Sequence, residues 1–233
     1  MKLGNSRILR AALAAAALCA APAALPAQSF EGVLTMSMAS ATLKSEAIGY
    51  MKAQGFKILP KTETGADVNG IVGGYPIIDF KAQKFYIVSP KDRFYMTLPL
   101  GQLTAPLDKV AVKVKKSGKT DTILGHRVEE WVLDDPASKA QAGIWATADF
   151  KPGFNFFISL QKTSPVEGLL LGRMAKSLVA QGLFPLGAWA KDASGATAVE
   201  MHILSIEPGK VADSELAIPE GFAKMSDVLK KKK

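Results

Sequence analysis

The sequence predicts a mainly β domain of the α+β class, in which a curved antiparallel sheet or open half-barrel has one helix plugging its concave face. Short strand-like segments follow one another with links too short for parallel crossovers, which favours an antiparallel meander. One long segment has helical periodicity instead. Several strands carry large apolar side chains on both faces, so the sheet is expected to curl around its helix and bury both.

The N-terminus has the layout of a cleavable secretion signal. Three basic residues within the first ten precede an apolar run, and the small residue Ala27 suits the last position before a cleavage site. The run is shorter and richer in alanine than the ~20 strongly apolar residues that cross a membrane. We therefore predict a signal peptide at residues 1–27, a periplasmic location and no stable membrane span.

Two alternatives for this segment stay open. The apolar run could remain attached as an anchor, or the signal could be of the lipoprotein type and end at Cys19. A lipidated cysteine normally follows a small residue, and Leu18 is large. Cys19 is the one cysteine of the chain, so a cleaved protein has neither a disulfide nor a thiolate metal site.

The charge of the exported part argues against nucleic acid as a partner. Removal of residues 1–27 lowers the net charge from +8 to +5, and four of the remaining lysines form the basic tail at residues 230–233. The body at residues 28–229, which we predict to be a single half-barrel domain, is then close to neutral, whereas a nucleic-acid-binding domain needs a dense basic face. A terminal charge run is usually a solvated end.

Strand-like segments account for most of the chain before the helix. Alternating or β-branched and aromatic runs, bounded by turn residues, predict strands at residues 30–40, 46–60 with a turn at Gly55, 75–80, 84–89, 93–98, 120–124, 127–133 and 142–147. A final hairpin, 184–192 and 196–208, is expected around Asp-Ala-Ser-Gly at residues 192–195.

One segment has the capping and periodicity of an amphipathic helix. Ser164 is placed as the N-cap, Pro165 occupies the first helical position, and Glu167 completes a capping box. Gly182 is predicted to end the helix. Apolar residues recur every four positions at Val166, Leu170, Met174 and Leu178.

Motifs that carry catalytic chemistry are weak, and we predict no catalytic residue, no metal and no cofactor. Ser-Gly-Lys-Thr at residues 117–120 resembles the end of a phosphate-binding loop, but Lys113 stands where that motif needs glycine, so we interpret it as a hairpin turn. Residues 70–74 lack the spacing of a dinucleotide-binding loop and predict a flexible turn. The two histidines, His126 and His202, have no partner at metal-ligand spacing.

Aromatic and apolar residues on strands and helix are the candidates for a binding site. Each of them could equally be ordinary core, but strands that are apolar on both faces make a lipid cavity more credible than any single residue does. The predicted ligand-binding residues are Phe94, Met96, Trp131, Trp145, Phe156, Leu170 and Met174.

The order of the segments resembles an uncharacterised bacterial exported family that is known as a domain of unknown function. The matching pieces include FEGVLTMSM, IIDFKAQKFYIVSPKDRFYMTLPL, SGKTDTILGHRVEEWVL and GLFPLGAWAKDASGATAVEMHILSIEP. This resemblance implies the fold of the Lol-type periplasmic lipoprotein carriers, a curved antiparallel half-barrel with helices on its apolar side. It carries over no catalytic residue. Val128 stands where relatives often have cysteine.

The leading hypothesis is a non-enzymatic periplasmic protein that binds a hydrophobic ligand, either a lipid or the acyl chain of a lipoprotein. The alternative is a structural or interaction protein of the cell envelope with a filled core and no ligand. A third hypothesis is an enzyme of unfamiliar type, in which folding brings acids close to His126 or His202.

Overall fold

The computed structural model describes residues 29–40, 44–61, 67–68, 71–72, 74–108, 112–133, 141–151, 165–192 and 194–230. The predicted signal peptide, Phe156 and the last three lysines lie outside these residues. The strands are β1 (Gly32–Ser40), β2 (Lys44–Lys52), β3 (Gly55–Pro60), β4 (Asp67–Val68), β5 (Ile71–Val72), β6 (Tyr75–Asp79), β7 (Lys84–Ser89), β8 (Phe94–Pro99), β9 (Val114–Ile123), β10 (His126–Leu133), β11 (Gln141–Thr147), β12 (Phe184–Lys191), β13 (Thr197–Pro208) and β14 (Ala223–Lys224). The helices are α1 (Leu100–Asp108), α2 (Pro165–Ala180) and α3 (Met225–Lys230).

Twelve of these strands form one open, curved sheet, which confirms the predicted fold class. Their order is β14-β8-β7-β6-β3-β2-β1-β13-β12-β11-β10-β9, and β4 pairs with β5 in a separate hairpin. Two antiparallel meanders therefore meet where β1 pairs with β13. The short β14 is the exception to antiparallel order, because it runs parallel to β8.

The register separates an inner face of the sheet from an outer one. In the half from β10 to β13, Ile144 pairs with Ala188 and Ala188 pairs with Met201, and all three side chains are buried. The residues that alternate with them reach solvent, since Glu200 and His202 on β13 are exposed. In the other half, the inner face carries a buried row formed by Met51, Phe56, Ile78 and Phe85.

Helix α2 lies against the inner face, where it contacts β11, β12 and β13. It begins at Pro165, as the sequence predicts, because proline needs no hydrogen-bond acceptor in the first turn. It ends in a Schellman motif: Gly182 has a φ of 76°, its N–H donates to the carbonyl of Val179, and the N–H of Leu183 donates to that of Leu178. The predicted stop at Gly182 is therefore confirmed.

A single cluster of buried apolar side chains joins the two halves of the sheet through α2. It includes Phe85 and Ile87 on β7, Ile144 on β11, and Met174 and Leu178 on the helix. Strands so far apart in the sheet order share one core because the sheet curves around the helix. The core therefore lies inside the curve.

The C-terminal segment, residues 209–224, covers part of the outer face. The Nζ atom of Lys52 donates to the carbonyl of Val211 at 2.8 Å and forms an ion pair with Asp213. Lys57 pairs with Glu215 at 2.7 Å between Nζ and Oε2. Phe222 packs against a second, smaller cluster of buried side chains formed by Tyr75, Ile77 and Val88.

Several local features differ from the prediction, among them the short elements β4, β14 and α3, which were not predicted. Helix α1 is absent from the predicted elements, because Gly101 and Pro106 are poor helix formers and tertiary contacts with α2 and β8 override their propensity. Strand β9 begins at Val114 rather than at residue 120, so residues 117–120 lie inside a strand and form no hairpin turn. Part of the turn expected at residues 70–74 is strand β5.

Truncation of the helix core should lower stability strongly. Leu178→Ala removes a side chain with no exposed surface from between α2 and the sheet, and we expect the free energy of unfolding to fall by about 2–5 kcal/mol. Lys176→Ala on the exposed side of the same helix is the control, with an expected change of about 0.5 kcal/mol or less. Chemical denaturation measures both, and a small loss for Leu178→Ala would contradict the assigned core.

Candidate ligand-binding site

Five of the predicted ligand-binding residues share the inner face. Phe94 and Met96 lie on β8, Trp131 lies on β10, and Leu170 and Met174 lie on α2. Met96 pairs with Ile87 and Trp131 pairs with Ile144, and both of these isoleucines belong to the buried inner cluster. All five residues therefore belong to, or pack against, the same buried apolar cluster.

Four of the five are only half-buried, and the three of these that lie on strands are near the two ends of the sheet. Phe94, Met96, Trp131 and Leu170 pack against the inner cluster but keep part of their surface accessible. β8 is next to the short end strand β14, and β10 is next to the other end strand, β9. We call this half-buried part of the inner face, with Leu98 and Leu133, the open side of the sheet.

The other predicted residues lie elsewhere. Met174 has no exposed surface and belongs to the core beneath α2. Trp145 lies on the outer face, because it pairs with Gly187, which in turn pairs with the exposed His202. Phe156 lies outside the described residues. The open side therefore contains Phe94, Met96, Trp131 and Leu170 from the predicted set.

Trp131 has the most unusual surroundings on the open side. The Nζ atom of Lys116 lies 5.3 Å from the centroid of its ring, a cation–π distance, and Lys116 also forms an ion pair with Glu129. The indole Nε1 atom is buried and has no hydrogen-bond partner. It is the one side-chain atom of this kind in the part of the chain that the structure describes.

A buried carboxylate, that of Glu130, binds side chains from β9 and β12 on the outer face of the sheet. Glu130 is 3% exposed, its Oε1 accepts a hydrogen bond of 3.1 Å from Trp189 Nε1, and its Oε2 lies 3.3 Å from the Nζ atom of Lys119. Ser117 also donates to the carboxylate. Residues 117–119 stand opposite this one residue as a bulge, with Gly118 at a φ of 89°. The apparent phosphate-loop motif is thus a strand bulge around Glu130.

The same contacts determine the ionisation of Glu130. Burial raises the pKa of this carboxyl, but the hydrogen bonds from Ser117, Trp189 and Lys119, with the charge of Lys119, outweigh burial and hold the pKa below its ordinary value of 4.5. Because the folded state lowers this pKa, the ionised group stabilises the fold above pH 4.5, and that contribution is lost as the pH falls further.

A depression lies where β12 and β13 separate. Their pairing runs from Lys191 opposite Thr197 to Gly187 opposite His202, beyond which β12 follows β11 and β13 follows β1. The depression has a volume of about 390 Å³ and is open to solvent. It is lined by Leu124, His126, Phe150, Leu204, Ser205, Ile206 and Pro208. We call it the β12–β13 groove; no sequence motif indicated it.

Folding gives each histidine a carboxylate neighbour. His126 Nδ1 lies 2.7 Å from Asp149 Oδ2 at the β12–β13 groove, and His202 Nε2 lies 3.0 Å from Glu200 Oε1 on the outer face. Ser205 lines the same groove, but no hydrogen bond joins it to His126 among the described residues.

Two further observations concern metals and membranes. Within the described ranges, no group of three or more histidine, cysteine, aspartate or glutamate side chains is arranged to hold a metal ion. No described helix combines the length and the hydropathy needed to cross a membrane.

Loss of the Glu130 charge should destabilise the protein in a pH-dependent way. For Glu130→Gln we expect a loss of about 1–3 kcal/mol at neutral pH, because hydrogen bonds to a charged group are replaced by weaker ones. The difference from the wild type should shrink below pH 4.5, as the wild-type carboxylate takes up its proton. Thermal unfolding across pH measures this, and a difference independent of pH would contradict the assigned ionisation.

Comparison with solved structures shows that the fold recurs. An uncharacterized conserved protein from Thermus thermophilus has a TM-score of 0.52 and 10% identity, over 84% of this chain and 90% of that one. MucB of Pseudomonas aeruginosa, solved in a complex with MucA, has a TM-score of 0.46 and 10% identity over 81% of this chain and 56% of that one. At such identity, the Thermus protein bears on the fold alone.

A domain from Vibrio parahaemolyticus, described as an outer membrane lipoprotein-sorting protein, is also similar, with a TM-score of 0.36 and 9% identity over 86% of this chain and 92% of that one. Among curated proteins, none matches the chain in sequence. One family model matches residues 30–222, which cover most of the chain and the ordered motifs that indicated such a family. The chain therefore belongs to the family described as a domain of unknown function, DUF4412.

Proposed function

We propose that this is a non-enzymatic periplasmic protein that binds a hydrophobic ligand, a lipid or the acyl chain of a lipoprotein, at the open side of its sheet. The periplasmic location rests on the signal-like N-terminus, and residues 28–229 are proposed to act as a single domain. The observation that supports a hydrophobic ligand is the set of half-buried apolar side chains on β8, β10 and α2. Water contact with such a surface is unfavourable, and an alkyl chain that covered it would bury the remainder.

The shape of the inner face supports an elongated ligand. Phe94, Met96 and Leu98 alternate along β8 and therefore line one side of a strand about 17–20 Å long at most. Trp131 and Leu133 repeat the pattern on β10. An acyl chain laid along either row would contact successive apolar side chains without needing polar partners.

A charge placed on this row should abolish ligand binding. Met96→Glu puts a carboxylate on the open side, and we expect its affinity for a fluorescent fatty-acyl probe to fall at least tenfold, because the ligand would desolvate the charge. Fluorescence titration measures the affinity, and circular dichroism checks that the variant is folded.

Thr97→Glu is the matched control. Thr97 is the next residue on β8, is also half-buried, and pairs with Tyr86 on the outer face. This variant should bind the probe as the wild type does. Equal losses in the two variants, or no probe binding by the folded wild type, would refute the open side as a lipid site.

A second candidate function, an interaction protein of the cell envelope, is favoured by the β12–β13 groove. Leu124 and Leu204, which line it, are 43% and 42% exposed and are the exposed large hydrophobic residues of the described part of the chain. Leu124 also has a φ of 53°, which costs energy for a side chain of this kind. Leu204 is the extra residue at a register shift in the β1–β13 pairing. Strained backbone is concentrated at functional sites, and an edge such as that of β13 beyond His202, where its pairing with β12 ends, is a surface to which an extended peptide can add as a strand.

Replacement of Leu124 should separate stability from binding. Leu124 and Gly125 form the two-residue turn between β9 and β10, and both have positive φ, a geometry in which asparagine is favoured over leucine. We therefore expect Leu124→Asn to raise the free energy of unfolding by about 0.5–1 kcal/mol. Peptides selected on the wild type from a displayed library should bind this variant and Leu204→Asp more weakly. A destabilised Leu124→Asn would show that the leucine serves the fold and would remove this candidate.

A further inference from the structure

The indole N–H of Trp131 is the unexplained polar group of the open side. Nε1 is buried without an acceptor, and a buried donor in this state normally has a reason for being there. Trp189 shows how the same chain satisfies such a group, since its Nε1 donates to Glu130 at 3.1 Å. The two tryptophans therefore differ in the one feature that matters for a ligand, an unused donor.

The neighbours of Trp131 do not supply an acceptor. Glu129 is the nearest carboxylate on the same face of β10, but its Oε2 pairs with Lys116, whose ammonium group lies over the indole ring. Ile144, the partner across β11, is apolar. An indole N–H can only donate, so whatever satisfies it must present an acceptor atom beside the Lys116–Glu129 ion pair and the apolar side chains of the open side.

We propose that Trp131 Nε1 donates a hydrogen bond to the carbonyl oxygen of an acyl ligand, an ester or amide of a fatty acid, whose alkyl chain lies along the open side. This inference rests on the proposed function and adds the chemical class of the ligand head. A carbonyl at the end of an alkyl chain provides one strong acceptor beside apolar surface, which matches one donor among half-buried apolar side chains. Pure hydrocarbon would leave the donor unpaired.

The test compares two ligands and three proteins. Methyl laurate, which has a carbonyl, and tetradecane, which has none, are delivered from cyclodextrin to displace a naphthylamine fluorescent probe from the wild type, Trp131→Phe and Trp189→Phe. Trp131→Phe should lower the affinity for methyl laurate about three- to tenfold, which corresponds to the loss of one hydrogen bond. It should change the affinity for tetradecane less than twofold.

The control variant and the melting temperature separate this role from packing. Trp189→Phe removes a donor that Glu130 uses, so it should lower the melting temperature while both ligand affinities stay as in the wild type. Loss of the Trp131 N–H by itself should leave the melting temperature of the ligand-free protein unchanged or raise it, because no group within the chain accepts a hydrogen bond from it. If Trp131→Phe does not fold, site-specific benzothienylalanine at position 131 keeps the ring shape and removes only the N–H.

Each outcome has a distinct meaning. If Trp131→Phe loses affinity for methyl laurate alone, the hydrogen bond is supported. If it loses affinity for both ligands equally, or for neither, the hydrogen bond is overturned while the open side remains the binding surface. Failure of the wild type to bind either ligand overturns the proposed function itself, and the inference with it. A fall in the melting temperature of ligand-free protein carrying benzothienylalanine at position 131 would show that the N–H has a partner within the chain and would also overturn the inference.

Discussion

The contact between α2 and the inner face of the sheet determines the rest of the structure. The helix has 16 residues and is therefore about 24 Å long and 10 Å wide, whereas twelve strands in a row extend over roughly 53 Å. One helix of this size can cover two or three strands, and α2 contacts β11, β12 and β13. The alanines at 142, 188 and 190 have small side chains, so the helix can pack closely against the inner face. Leu171, Met174 and Leu178 are therefore fully buried.

The remainder of the inner face is buried by curvature and by its own side chains. Phe56, Ile78 and Phe85 fill the half of the curve that lies away from β11, β12 and β13, the strands against which α2 packs. Near the ends of the sheet these side chains no longer cover the inner face, and the apolar residues of β8 and β10 stay half-buried. The open side is thus a geometric consequence of filling a long sheet with a short helix. Trp131 lies in this region: the residue as a whole is half-buried, and its buried Nε1 has no hydrogen-bond partner.

The sequence predicted correctly those features that depend on neighbouring residues, namely the helix ends, a turn and the face of a strand. Pro165 and Gly182 define the ends of α2 because proline and glycine have specific positional preferences at helix termini. Asp192 accepts hydrogen bonds from the backbone N–H groups of Ser194 and Ala196, which explains the predicted turn between β12 and β13. The alternation along β8 also predicted that Phe94 and Met96 share a face.

Features that depend on distant partners were beyond such reasoning. The bulge at residues 117–119 requires Glu130 and Trp189, and the latter is 59 residues from Glu130 in the chain. Trp131 and Trp145 look equivalent in sequence, yet the pairing of β10 with β11 puts them on opposite faces. The parallel pairing of β14 with β8 and the groove where β12 leaves β13 likewise follow from the assembled sheet.

The proposed lipid binding is tested most directly by native mass spectrometry of the protein purified without detergent. It predicts a population heavier than the polypeptide by the mass of an acyl lipid, lost on gentle activation, whereas a single species at the polypeptide mass that also fails to take up added lipid would contradict it.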